Sequence, residues 1–315
     1  QQLVHWAAPA QRQQDAHEFL SRLLDRLAGH RLPEEGSRSP NGPSDLQRLD
    51  TLEKELTEMA RVKLTGKNEA NRRMAEQNAH NLLYEYSMMQ WASSATRMNH
   101  DGMGAIFEGQ RLTSIHCREC GRYAASEAEP LSVEEVKLGG RSQEEGGWFT
   151  QLGNLFAGGE SSPPKISLGQ LLRSSAERSP PEGYVCPRSA CGRVGTSLRT
   201  MRFLRLPLTL VVHVNRAQPD GSRCEAAVEF EQRLDLQAHG LVADFGRPLD
   251  RDLEPCSTRY RLFAAVFHKG ATSRSGHYVA YVLHNTTWVY VDDSNVSEAQ
   301  TTPMELELSS PPRGP

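Results

Sequence analysis

The chain has 315 residues, a net charge of −3, 37% hydrophobic residues and a mean hydropathy of −0.58. Its length suits one large domain or two ordinary ones, with a core and polar inserts. A near-neutral chain lacks the basic surface that phosphate binding needs, which excludes nucleic acid as the main partner. No apolar run approaches the roughly 18 residues of a membrane-spanning helix, so no membrane partner is expected. The longest run, Leu208–Val214, contains His213 and reads as a buried strand.

The first residue is Gln1, and Gln1–Gln14 has no basic segment followed by an apolar one. No signal peptide is read there, and the chain is expected to begin mid-sequence. Residues Gln13–Leu27 carry Ala16, Phe19, Leu20, Leu23, Leu24 and Leu27 at helical spacing, closed by Gly29. A Pro/Gly-rich linker over 31–43 follows. Leu46, Leu49, Leu52, Leu56 and Met59 then predict one helix, and Met74, Ala75, Ala79, Leu82, Leu83 and Tyr86 a second after Gly66. Together they predict a helical hairpin insert within 31–101, read as a charged surface excursion in preference to a binding arm.

From Ile106 the pattern turns to short β-type runs. Leu112–Ile115 leads into Cys117–Cys120, and Tyr184–Val185 into Cys186–Cys191. Between them, 139–164 is a Gly/Ser/Glu-rich insert around WFTQLGNLF, where Trp148, Leu152 and Leu155 share one helical face. A local plug is preferred over a partner or membrane contact, because glycines flank the segment and Gly153 weakens its helix. Strands are predicted over Phe203–Val214, Glu225–Phe230, Tyr260–His268, His277–Leu283 and Thr287–Val291. The tail Ser309–Pro315 is read as disordered, and no internal repeat is visible.

Two constellations carry chemistry. Four of the six cysteines form close pairs, Cys117/Cys120 and Cys186/Cys191. In a chain without secretory signals, close pairs point to metal before disulfides. Cys117-x₂-Cys120-Gly has the shape of a zinc knuckle, with Cys186-x₄-Cys191-Gly a looser partner; four thiolates would close a tetrahedral structural zinc site. The alternative is a zinc-free β-finger with buried thiols. Cys224 and Cys256 open no helix and have no evident source of a lowered pKa, so both read as inert. The second constellation is the hairpin formed by GHYVAYV, from Gly276, and WVYVDDSN, from Trp288. It would set Asp292 beside His277, where a carboxylate could fix the tautomer of a general base. Spacing alone leaves open a lone core histidine with surface aspartates.

QQDAHEFLSRLLD (Gln13–Asp25) resembles the Gln-Gln-Asp helix of the ubiquitin-specific proteases. LRLPLTLVVHVNR (Leu204–Arg216) resembles their Leu-Pro strand, and Tyr260–Val282 with Trp288–Glu298 resembles their histidine box. The blocks occur in family order and cover the chain to Glu298 outside the inserts. The resemblance implies an α+β, papain-like fold with thumb helices, a β palm and zinc-ribbon-like fingers, incomplete at the N-terminus. On this reading 1–298 is a partial catalytic domain and 299–315 a C-terminal segment. It also implies a cysteine peptidase that cleaves after the C-terminal glycine of ubiquitin. His277 would be the general base, Asp292 its orienter and Asp293 a supporting acid. Asp15, Glu18, Gly276 and Tyr278 would line the path of ubiquitin's basic tail, although acidic residues near a helix N-terminus have a purely local explanation too.

The resemblance further implies zinc-tied fingers that cradle ubiquitin, and its chemistry, with free paired thiols, suggests an intracellular location, cytoplasmic or nuclear. The family's nucleophile lies in a Cys box upstream of the Gln-Gln-Asp helix, and nothing in Gln1–Arg12 resembles it. The chain as it stands is therefore expected to be inactive. The competing expectations are a catalytically inactive ubiquitin-binding scaffold and a zinc-stabilised interaction module without ubiquitin affinity.

Overall fold

The computed structural model describes residues 15–27, 43–97, 106–125, 128–138, 165–178, 183–218, 223–224, 226–243, 257–272 and 275–309. The expectations for the 139–164 insert, for Cys256 and for Gln1–Gln14 fall outside these residues, as does nearly all of the 31–43 linker and of the Ser309–Pro315 tail.

Three helices open the described chain: α1 (Ala16–Leu27), α2 (Pro43–Thr65) and α3 (Glu69–Arg97). Asp15 caps α1, its carboxylate accepting from the N–H groups of His17 (2.8 Å) and Glu18 (3.1 Å). Of the expected stripe, Leu24 is buried but Phe19 is 44% exposed, so the buried face of α1 is narrower than its periodicity implied. The hairpin of α2 and α3 is more than a charged excursion. Its Leu49, Leu52 and Tyr86 form a second core with Leu112, backed by Tyr123 and Leu204 of the neighbouring strands. Thr57 locks the register by exchanging hydrogen bonds with the backbone of Tyr123, each 3.1 Å. Charged residues occupy the outer face, where pairs such as Arg48–Glu85 and Lys63–Glu76 sit in solvent.

The strands β1 (Gly109–Cys117), β2 (Tyr123–Ala125), β3 (Glu129–Leu131), β6 (Glu177–Arg178) and β7 (Ser197–Arg205) form one antiparallel sheet. Its centre is the long β1–β7 ladder, which runs to Cys117↔Ser197 and so carries the first cysteine pair out to the sheet's end. Two short parallel pairs lie against it, β4 (Glu134–Lys137) with β8 (Val212–Asn215), and β5 (Lys165–Ser167) with β9 (Ala227–Glu229). Helix α4 (Leu168–Ala176) supplies Leu171, Leu172 and Ala176 to the main core, which also holds Val136, Ile166, Phe203, Val228, Leu236 and Leu241.

The long strand expected over Phe203–Val214 is broken. Its first residues, Phe203–Arg205, are the end of β7 and pair with β1, but Pro207 has no N–H for a ladder and Leu208 is 70% exposed; pairing resumes only at Val212–Asn215, which is half-buried. Likewise Tyr260–His268 is two strands. In β11 (Arg259–Arg261) pairs with β10 (Arg233–Asp235), while β12 (Ala264–Thr272) joins a four-stranded meander with β13 (Ser275–His284), β14 (Thr287–Asp292) and β15 (Asn295–Glu298). Beyond Glu298 the chain stays with the body. Helix α5 (Pro303–Ser309) places Glu307 on the Arg216 guanidinium and on the Val228 N–H (3.0 Å).

Candidate active site

Two tight turns aim the histidine hairpin. Asn285, with φ 57°, closes β13 onto β14, and Asp293, with φ 53°, closes β14 onto β15; short polar residues tolerate this left-handed conformation. The ladder pairs Ala280 with Val291 and Tyr281 with Tyr290. Asp292 therefore falls on the same face as His277, diagonally across the pair. Val279 and Tyr281 on that face are buried, 2% and 5% exposed, while the His277 side chain, at the open end, is 44% exposed.

His277 Nε2 lies 2.5 Å from Asp292 Oδ1. That hydrogen bond, assisted by the nearby Asp293 charge, raises the His277 pKa above the ordinary histidine value, against desolvation and the positive charge of Lys269. The same bond, with a second from Tyr290, holds the Asp292 carboxyl below its usual range. Because Nε2 is taken, Nδ1 is the ring nitrogen left to receive a proton from a nucleophile. Among the described residues no hydrogen bond joins a thiol to His277.

The remaining expected site residues divide. Asp293 sits in the β14–β15 turn and acts on His277 through charge alone. Asp15 is brought not to His277 but to its neighbour, accepting from the Tyr278 hydroxyl at 3.3 Å and so tying α1 to β13. Glu18 is exposed and pairs with Arg22 one turn on, a surface ion pair of small energetic weight. Gly276 is required locally: a Cβ there would strike the His268 imidazole and lie 2.6 Å from the Lys269 carbonyl oxygen.

Three features were not foreseen. Tyr290 donates to Asp292 Oδ2 at 2.8 Å, and Lys269 donates to the Tyr290 hydroxyl at 2.9 Å. Tyr290 had a legible signal, since a residue two before Asp292 on a strand shares its face. Lys269 had none, because its place opposite His277 depends on an irregularity in the β12–β13 register. The third is a stack of His17 on His213, ring centroids 3.9 Å apart and 6° from parallel, which docks α1 on β8. Burial, then His17, lowers the His213 pKa. Glu135 lies 3.9 Å from His213 Nδ1, too far for a hydrogen bond. These groups could surround an ion by proximity. Parallel rings, however, direct their lone pairs side by side and not to one point, so the stack is a packing contact.

Cys117, Cys120, Cys186 and Cys191 do converge, their sulfurs all within 4.8 Å of one another. The separations are 3.9 Å for Cys117–Cys191 and 3.6 Å for Cys120–Cys186. A tetrahedron with Zn–S bonds of about 2.3 Å puts its sulfurs about 3.8 Å apart, so the cluster fits that ion. The four-residue spacing of the second pair is absorbed by a turn in which Cys191 and Gly192 both donate to the Arg188 carbonyl. Burial resists ionisation of Cys117, but the Thr196 hydroxyl and the Cys120 and Glu119 N–H groups outweigh it and bring the thiol to about 6. Cys186 is pushed up to about 12, first by burial. Cys224 packs at the margin of the main core.

An α+β body with a carboxylate-held histidine at a sheet's open end and a four-cysteine cluster at the tip of another sheet fits the class of hydrolases that use an imidazole base. The family model for ubiquitin carboxyl-terminal hydrolases matches residues 1–311, and the chain belongs to that family, with its papain-like ubiquitin-specific protease fold. It is 26% identical over 200 residues to Ubiquitin carboxyl-terminal hydrolase 3 of Homo sapiens, covering 61% of this chain and 35% of that protein. With Ubiquitin carboxyl-terminal hydrolase 4 of Eremothecium gossypii it shares 24% identity over 293 residues, 90% of this chain and 28% of the relative. The chain thus spans about a third of the length of these curated relatives. Among solved structures, it is similar at 14% identity and a TM-score of 0.46 to the SAGA Ubp8/Sgf11/Sus1/Sgf73 DUB module bound to ubiquitin aldehyde, over 86% of this chain and 63% of that one. Among the described residues no helix is long and apolar enough to cross a membrane.

Proposed function

We propose that this chain carries the base half of a cysteine-type deubiquitinase, which hydrolyses isopeptide or peptide bonds after the C-terminal glycine of ubiquitin. The supporting observation is the His277–Asp292 hydrogen bond of 2.5 Å at the open end of an otherwise buried sheet face. In this reading Asp292 fixes the Nε2–H tautomer, and Nδ1 takes the proton of a cysteine thiol supplied by the segment preceding α1 in the complete protein. The thiolate attacks the scissile carbonyl, and the imidazolium then protonates the leaving amine. Gly276 keeps a side chain out of the narrow approach to His277, and Asp15 and Glu18 at the start of α1 offer negative charge to the basic tail.

The four cysteines would hold a structural zinc ion, which closes the finger against the β1–β7 sheet without entering the reaction. The partner is ubiquitin on its conjugates, and the location is intracellular. The family match and the intact base pair favour an enzyme over an inactive ubiquitin-binding scaffold, which has no need of either His277 or Asp292.

The test uses the complete protein and a ubiquitin C-terminal fluorogenic amide. His277→Ala should abolish cleavage while ubiquitin affinity stays within a few-fold. Parallel loss of both would make the histidine structural, and a wild-type protein that binds ubiquitin without cleaving it would establish the scaffold instead.

A further inference from the structure

The base pair is embedded in a longer chain of donors that begins on a strand outside the histidine hairpin. Lys269 Nζ lies 2.9 Å from the Tyr290 hydroxyl, that hydroxyl lies 2.8 Å from Asp292 Oδ2, and Asp292 Oδ1 lies 2.5 Å from His277 Nε2. Lys269 also rests 5.1 Å from the centre of the Tyr290 ring. All four residues project from one sheet face, since Lys269 is paired with His277 across β12–β13 and Tyr290 with Tyr281 across β13–β14. The Tyr290 ring is itself held edge-on against buried Tyr281, centroids 5.2 Å apart.

The proton directions in this chain are forced. An ammonium group can only donate, so the Tyr290 oxygen must accept from Lys269, and its single O–H proton is left for Asp292. A hydroxyl polarised by a cation is the stronger donor. The terminal torsion of an aspartate is soft, and one hydrogen bond leaves the carboxylate free to swing. Two bonds on its two oxygens do not. We infer that Tyr290 and Lys269 are positioning residues for the base: Lys269 orients the Tyr290 hydroxyl, and that hydroxyl pins one oxygen of Asp292 so that the other stays aimed at His277 Nε2.

The inference rests on the hydrolase reading but is read out separately from it. Charges facing His277 are Asp292 and Asp293 from the β14–β15 side and Lys269 from β12. The experiment follows His277 by ¹⁵N NMR of its ring in the full chain, and follows kcat and KM in the complete protein. Tyr290→Phe keeps the ring and its packing and removes only the hydroxyl. It should shift the neutral imidazole from mainly Nε2–H to a mixture of tautomers, and lower kcat about tenfold with KM within twofold, as expected for losing one charge-assisted hydrogen bond.

Lys269→Met should reproduce the mixture of tautomers, because the Tyr290 hydroxyl loses the donor that orients it, and should lower kcat with it. Lys269→Arg should restore both. An unchanged tautomer in Tyr290→Phe, or an unchanged tautomer and kcat in Lys269→Met, overturns the positioning role. Because the ring signals need no turnover, a responsive His277 in a protein that cleaves nothing would refute the hydrolase reading alone.

Discussion

Removing metal from the cysteine cluster should melt the finger and leave the rest of the domain folded. In Gly183–Thr196 the only buried side chain is that of Cys186. Apart from contacts among the sulfurs, the segment is tied by the Val185↔Val194 bridge and by a few backbone hydrogen bonds, such as Cys186 to the Arg193 carbonyl (2.9 Å) and Arg118 to the Thr196 carbonyl (3.0 Å). Two exposed or weak side-chain contacts add to these, Arg188 to the Cys120 carbonyl (3.2 Å) and the Thr196 hydroxyl to the Cys117 sulfur (3.5 Å). Ordering each residue costs about 1–2 kcal/mol of backbone entropy, whereas a hydrogen bond returns a net of about 1 kcal/mol. A segment this long with one buried thiol cannot hold itself. A structural zinc site contributes on the order of 10 kcal/mol and would.

The cores around Leu172 and Leu52 share no side chain with the finger and should survive. The assay is hydrogen exchange with and without a strong chelator, alongside metal analysis of the purified chain. The Cys186, Cys191 and Gly192 amides should exchange at least about 100-fold faster without metal, with β12–β14 unchanged, and the untreated chain should hold one zinc ion. Cys191→Ser should reproduce the effect. A chain that purifies without metal and keeps those amides protected would refute the argument.

Three other outcomes follow from the geometry. Asp292→Asn removes the main cause of the raised His277 pKa, so the titration midpoint should fall toward about 6.5 by NMR. In the parent, the pair's contribution to stability is present below the ordinary histidine value and lost as pH rises through the raised one. Leu52→Ala, at a fully buried position of the hairpin core, should cost about 3 kcal/mol in urea unfolding. His213, whose pKa is lowered by burial and by His17, resists protonation in the folded state. Melting temperature should therefore drop as pH falls below the ordinary histidine value, and His213→Gln, facing His17, Glu135 and Asp15, should flatten that dependence.

The local pieces of this protein are written in local patterns. Period-3.6 stripes mark α1, α2 and α3, alternation marks β13 and β14, and the polar His284–Thr287 connection marks a hairpin that could bring Asp292 to His277. These signals survive because they depend on neighbours a few residues apart. Phe19, Pro207 and Leu208 show the limit: periodicity sets which residues share a face but not whether anything covers that face, and an apolar run continues through a proline that a ladder does not. The convergence of Cys117 with Cys191 depends on the β1–β7 register, and the line from Lys269 through Tyr290 to Asp292 on the pairing of three strands. So does the docking of α1 through Asp15–Tyr278 and His17–His213. Sequence by itself marked His277 and Asp292 as a candidate pair, the four cysteines as candidate ligands, and the family. Only the tertiary structure decided what holds each of them in place, because hydrogen bonds and stacks act over a few ångströms, a distance that the fold sets and chain separation does not.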